Sequence, residues 1–174
     1  MREDVKEILF SEEQISDKVK ELADRISRDY KDKNLLVVGV LKGSVLYAAE
    51  LIKNITVPCE IDFMAVSSYG NSTETSGVVR ILKDLDHSIE GKDILIVEDI
   101  VDSGVTLDYL LKYLKARKAN SINITTLLNK EARRKVYVGF EVPDEFIVGY
   151  GIDYAEKYRN LPFIGILKPE VYER

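Results

Sequence analysis

Two rhythms of apolar and polar positions alternate along this chain, and the changes between them mark out its elements. Ser11-Glu12-Glu13-Gln14 has the form of a capping box, and Ile15, Val19, Leu22 and Ile26 follow at the spacing of one helix face. This predicts an amphipathic helix ending near Tyr30. LLVVGV at 35–40 is a continuous, β-branched apolar run, the pattern of a strand buried on both faces. After Lys42-Gly43-Ser44, the positions Leu46, Ala49 and Ile52 predict a second helix. A strand is expected at 59–69, with Ile61, Phe63 and Ala65 on one side. Residues 70–77, GNSTETSG, hold almost no apolar group and so cannot anchor themselves by burial; they predict a mobile loop in a hairpin that returns through 78–83. ILIVED at 94–99 is the next buried strand, and Leu107, Leu110, Leu111 and Leu114 mark a helix after it. Further strands are expected at 122–128, 146–150 and 163–167. Such alternation predicts an α/β fold around a largely parallel sheet, in one domain over 1–174.

Composition narrows this picture. With 174 residues, 45% hydrophobic and 32% charged, the chain can bury a real core and is not of disordered type. A net charge of −5 gives no basic field, so no nucleic-acid partner is expected. No apolar run is long enough to span a bilayer, and MREDVKEILF is too acidic for a signal peptide, so the expectation is a cytoplasmic protein without a membrane partner. One cysteine, Cys59, excludes an internal disulfide, and the single histidine, His87, leaves no His/Cys metal cluster. Any metal must be a hard ion held by carboxylates and phosphates.

The stretch VEDIVDSGVTL, 97–107, carries the chemistry. If 94–98 is a parallel strand and 107–115 its crossover helix, then Asp99–Thr106 is a loop at the carboxyl end of a strand, where open α/β sheets bind ligands. Free N–H groups at the helix start favour a phosphate, Gly104 permits close approach, and the Ser103 and Thr106 hydroxyls can donate to phosphate oxygens. Glu98 and Asp99 can accept from a ribose diol or hold Mg²⁺ through water. Together these groups point to a sugar phosphate. The plainer alternative, that Asp102 and Ser103 only cap the helix, leaves the two adjacent acids unexplained.

ILIVEDIVDSGVTL resembles the motif by which type I phosphoribosyltransferases bind 5-phosphoribosyl 1-pyrophosphate (PRPP). VLKGS (40–44), SSYG (67–70), LLNK (127–130) and FIVGYGIDYAEKYRNLPFIGIL (146–167) are similar, in the same order, to segments of the hypoxanthine-guanine phosphoribosyltransferases. The resemblance implies the type I fold, a mainly parallel sheet flanked by helices, with a small hood and a mobile hairpin loop. It also implies a Mg²⁺-dependent enzyme of purine salvage that moves phosphoribosyl from PRPP to N9 of hypoxanthine or guanine, giving IMP or GMP and pyrophosphate.

Residue roles follow from the same resemblance. Asp102 is the expected general base or acid beside N7 of the purine, since a proton must move on the imidazole ring when N9 is glycosylated. Ser103, Gly104, Val105 and Thr106 would cradle the 5-phosphate; Glu98 and Asp99 would engage the ribose hydroxyls and the metal. Lys130 would reach O6, a contact that accepts an oxo group and rejects the amino group of adenine. Phe146 would stack on the purine, and the Ile147 carbonyl would accept from the exocyclic amine of guanine. Asp153 would ligate a Mg²⁺ that also touches pyrophosphate, with Arg159 a cationic contact. Leu41, Lys42 and Gly43 would face pyrophosphate through backbone N–H groups, with a Leu41–Lys42 peptide that can be cis or trans, and Ser68 and Tyr69 would belong to a lid that excludes water from the reacting C1. A lysine that some family members carry in the phosphate loop is Val105 here, which removes that cationic contact. A homodimer or homotetramer is expected on the same ground.

Each residue also has a plainer reading: Lys130 on a charged surface, Phe146 in the core, Asp153 and Arg159 as an exposed pair. The rival functions are a PRPP-binding nucleic-acid regulator, which should carry a basic face, a phosphoribosyltransferase for another base such as adenine, xanthine or a pyrimidine, and an aspartyl phosphotransfer domain, in which the phosphate loop would be idle.

Overall fold

The computed structural model describes residues 1–68, 79–130 and 137–173. Its main sheet has six strands: β2 (Leu35–Leu41), β3 (Glu60–Ser68), β4 (Val79–Lys83), β5 (Asp93–Val101), β6 (Ser121–Asn129) and β7 (Tyr137–Glu141). Their order is β4-β3-β2-β5-β6-β7, parallel throughout except for β4, which runs back along β3. β1 (Val5–Phe10), β8 (Ile147–Val148) and β9 (Ile164–Leu167) form a separate three-stranded antiparallel sheet in the order β1-β9-β8, the small hood.

The parallel sheet is covered on both faces. Helix α1 (Glu12–Asp29) begins on the expected capping box, with the Ser11 side chain accepting from the Gln14 N–H at 3.1 Å and Gln14 accepting from the Ser11 N–H at 2.9 Å. It buries Ile15, Val19, Leu22 and Ile26 with α2 (Val45–Asn54) against Val37, Leu95 and Val97. On the opposite face α3 (Val105–Lys115) buries Leu107, Leu110 and Leu114 against Val38, Ile94 and Ile96. This two-sided cover is why β2 and β5 read as unbroken apolar runs.

Four expectations need correction. The α2 helix exists, but Leu46 and Ala49 lie on its exposed side, while Tyr47, Ala48 and Leu51 are buried. In β3, Ile61 is half exposed, and the more buried positions are Asp62 and Met64 on the other face. β5 runs on to Val101, so the expected loop Asp99–Thr106 shrinks to Asp102–Gly104, with Asp99 in the strand and Thr106 in the first turn of α3. The strand expected at 146–150 is only Ile147–Val148, because Gly149 and Tyr150 have positive φ. β1 and β7 were not legible in the pattern. The expected loop at 70–77 and Tyr69 lie outside the described residues, but the β3–β4 pairing gives the hairpin its two arms.

Candidate active site

Because β2 and β5 are adjacent and parallel, their carboxyl ends open at the same edge of the sheet. A cleft of about 310 Å³ lies there, lined by Leu41, Gly43, Glu98, Asp99, Asp102–Thr106, Asp153 and Arg159. Helix α3 starts from Gly104, whose φ of 79° is a left-handed conformation suited to glycine, and no side chain caps that end. Asp102 and Ser103 are therefore exposed and not engaged in capping, which removes the plainer reading of that segment. The backbone after β2 presses onto the acids: a Cβ at Gly43 would sit 1.9 Å from Asp99 Oδ2. The Leu41–Lys42 peptide is cis, one of the two forms the resemblance left open. Lys42 is not among the lining residues, and its Nζ lies 3.1 Å from Glu156 Oε2.

Glu98 and Asp99 are carboxylates deep in this cleft. Burial pushes the Glu98 carboxyl well up from its ordinary range, and the charge of Asp99 adds to the shift. Burial likewise raises Asp99, to about 6, against the N–H groups and the Arg159 charge that favour its ionised form. Arg159 is held in place: its Nη1 donates to the Gly151 carbonyl at 2.8 Å, and its Nη2 lies 3.5 Å from Asp153 and 3.3 Å from Glu156. A buried acid beside a half-buried one, with oxygen donors toward the cleft, suits a hard divalent ion. Among the described residues no group of three or more His, Cys, Asp or Glu is arranged to hold a metal alone, so Glu98, Asp99 and Asp153 do not form a closed ligand set. That fits an ion completed by phosphate oxygens, as Mg²⁺ sites commonly are.

A second cleft, of about 480 Å³, adjoins the first between the main sheet and the hood. It is lined by Ile100, Asp102, Lys130, Asp144–Ile147, Ile152 and Tyr172. Lys130 follows β6; its N–H donates to the Val101 carbonyl at 2.9 Å, and its Nζ reaches the Glu145 carbonyl at 3.0 Å and Asp144 at 3.4 Å. Its side chain is only 13% exposed, so it is not a solvated surface lysine. Phe146 departs from the core reading in the other direction, being 47% exposed. Asp153 and Arg159 are side-chain exposed by 33% and 25%, so they are not a free surface pair.

The fold thus gathers every expected site residue into the two clefts except three. Lys42 faces Glu156; Ser68 is placed only as the end of β3; Tyr69 lies outside the described residues. Sequence reading missed Ile100, Ile152 and Tyr172. Ile100 sits inside the motif already singled out, whereas nothing periodic marks Tyr172.

Comparison with known proteins agrees with this geometry. Residues 6–155 match the family model described as a phosphoribosyl transferase domain. The chain is 58% identical to a hypoxanthine-guanine phosphoribosyltransferase of Bacillus subtilis, over 99% of both chains. It is 54% identical to a bifunctional protein TilS/HprT of Listeria innocua, covering 99% of this chain but 27% of that longer protein. A crystal structure of a hypoxanthine phosphoribosyltransferase from Staphylococcus aureus superposes with a TM-score of 0.96 at 52% identity, over 100% of this chain and 97% of the other. With a cleft at the sheet edge, a second cleft beside it and full-length likeness of this degree, the chain belongs to the hypoxanthine-guanine phosphoribosyltransferases of the phosphoribosyl transferase domain family.

Proposed function

We propose that the chain acts as one domain that transfers phosphoribosyl from PRPP to N9 of hypoxanthine or guanine, yielding IMP or GMP and pyrophosphate. The observation that carries this reading is that Asp102 lines both clefts. A donor in the first cleft and a base in the second would meet at its carboxylate. In the reaction the N9 lone pair forms the new bond to C1 of the ribose, the C1–oxygen bond to pyrophosphate breaks, and the ring loses a proton. Asp102 would take that proton at N7.

In the donor cleft the backbone at Ser103–Thr106 and the two hydroxyls would hold the 5-phosphate, while Glu98 and Asp99 accept from the ribose hydroxyls. Glu98, Asp99 and Asp153 would hold Mg²⁺ through water or directly, and the ion would supply charge neutralisation of the pyrophosphate. Arg159 and the backbone of Leu41–Gly43 complete the anion's surroundings. In the acceptor cleft Lys130 donates to O6, Phe146 stacks on the ring, and the Ile147 carbonyl accepts from the guanine amine. Ser68 and Tyr69, the latter outside the described residues, would serve in excluding water from the reacting C1. A cytoplasmic homodimer or homotetramer is the expected working form; among the described residues no helix is long and apolar enough to cross a membrane.

The test is to supply PRPP, Mg²⁺ and, in turn, hypoxanthine, guanine, xanthine and adenine, and to follow nucleotide formation. Turnover is expected with hypoxanthine and guanine and not with adenine. No turnover with any oxopurine would sink the reading, and turnover with adenine alone would remove the role of Lys130.

A further inference from the structure

We propose that Tyr172 is a positioning residue for the base, its ring backing Phe146 so that the free face of Phe146 is presented to the acceptor cleft. The proposal rests on the reading of that cleft given above. Tyr172 lies with its ring centroid 3.9 Å from that of Phe146 and the planes 20° apart, a close stack. Tyr154 meets Phe146 edge-on, at 6.0 Å and 87°. Phe146 nevertheless remains 47% exposed, and both it and Tyr172 line the cleft. Tyr172 covers one face of Phe146, and the surface of Phe146 that remains open is available to the cleft it lines.

The chain segment carrying Tyr172 is tied to Phe146 by backbone as well as by the stack. The Leu167 N–H donates to the Phe146 carbonyl at 2.9 Å, directly after β9 has paired with β8. The Lys168 N–H donates to the Asp4 carbonyl at 2.9 Å, and Pro169 then opens the short helix α4 (Pro169–Tyr172). Val171 and Tyr172 pack against the apolar cluster of Val148, Tyr158, Leu161, Phe163 and Leu167. Phe146, β9 and α4 are thus joined by backbone hydrogen bonds and apolar packing within the hood. An unsupported, exposed phenylalanine would lose rotamer freedom only when the base arrives, and that ordering weakens binding. With Tyr172 in place the rotamer is already selected, so the base extends an existing stack.

The experiment compares steady-state kinetics of the wild-type chain with Tyr172→Leu and Tyr172→Phe, with melting temperatures for each. Tyr172→Leu keeps apolar cover on the hood cluster but removes the ring. It is expected to raise KM for hypoxanthine and guanine about three- to tenfold, the range of an aromatic pair, with kcat and the PRPP KM within about twofold. Tyr172→Phe is expected to restore wild-type values. An unchanged base KM in Tyr172→Leu would overturn the proposal, and so would an equal rise in the PRPP KM, which marks general loosening. A fall in base KM would also overturn it, because the tyrosine ring would then stand where the base binds. Should Tyr172→Leu unfold, Tyr172→His supplies the readout: an intermediate rise in base KM supports the proposal and a wild-type value overturns it. Wild-type turnover of oxopurines with no effect of these variants removes the role of Tyr172 alone, whereas absence of wild-type turnover removes the acceptor reading and this proposal with it.

Discussion

The two clefts are built in opposite ways. The donor cleft is largely one continuous segment, Glu98 to Leu107, bent around the end of β5 and the start of α3. The acceptor cleft collects Asp102, Lys130, Phe146 and Tyr172 from four separate stretches of chain, and it closes only because the hood sheet sits over the end of the main one. A phosphate cradle needs free N–H groups and close backbone approach, which a single strand-loop-helix turn supplies. A planar base needs faces and an edge donor from several directions, which only tertiary structure can bring together. Asp102 is where the local device and the assembled one meet.

Substitutions can separate the two halves, and the largest effect is expected where they join. Asp102→Asn should slow turnover by about 10²- to 10⁴-fold, the range for loss of a general base, as read from kcat with both substrates saturating. Next is the donor side. A Cβ at Gly43 would collide with the Asp99 carboxylate, so Gly43→Ala should raise the PRPP KM by about 10- to 100-fold and leave the hypoxanthine KM nearly unchanged. A parallel rise in both constants would show that the clefts are not separable there.

On the acceptor side, Lys130→Ala should raise the KM for hypoxanthine and guanine by about tenfold or more, the weight of a hydrogen bond from a charged donor, and weaken the preference over adenine. An unaltered preference would break the assignment of the 6-oxo contact. The smallest effect expected is on stability with pH. Burial raises the Asp99 carboxyl to about 6 from an ordinary 3.8, so the folded chain binds this proton more tightly than the unfolded one. The sign follows: Asp99 favours the folded state below its unfolded value, and that contribution is lost as pH rises from about 4 through 6. Denaturant titrations should show the decline, Asp99→Asn should lessen it while the raised Glu98 carboxyl keeps part of it, and PRPP with Mg²⁺ should oppose it by occupying the site. A stability that climbs steadily over that window would contradict the burial argument.

The same division explains what the sequence discloses. β2 and β5 are legible because burial on both faces makes each an unbroken apolar run, and α1 because its burial repeats with the period of a helix. α2 is legible as a helix but not in its facing, since Tyr47 is a core residue whose hydroxyl lies 2.5 Å from that of Thr125, and a tyrosine does not announce itself as core. β1 is hidden because Lys6 and Glu7 are exposed on a hood strand, whereas β8 is legible as a strand but not in its length, since Gly149 and Tyr150 take positive φ. Phe146 reads as core by type but is half open, lining the second cleft. The donor residues form a motif whose chemistry can be argued residue by residue, whereas Lys130, Phe146 and Asp153 gain meaning only through resemblance or through the fold. Tyr172 had neither, since four residues of helix near the chain's end carry no pattern.

The shared position of Asp102 is tested most directly by rapid-quench measurement of the chemical step in Asp102→Asn, alongside calorimetric Kd values for PRPP with Mg²⁺. The expected result is a chemical step slowed by about 10² or more with the PRPP Kd within about twofold of wild type. A Kd that rises as much as the rate falls would make Asp102 a binding residue of the donor cleft alone and contradict its place in both.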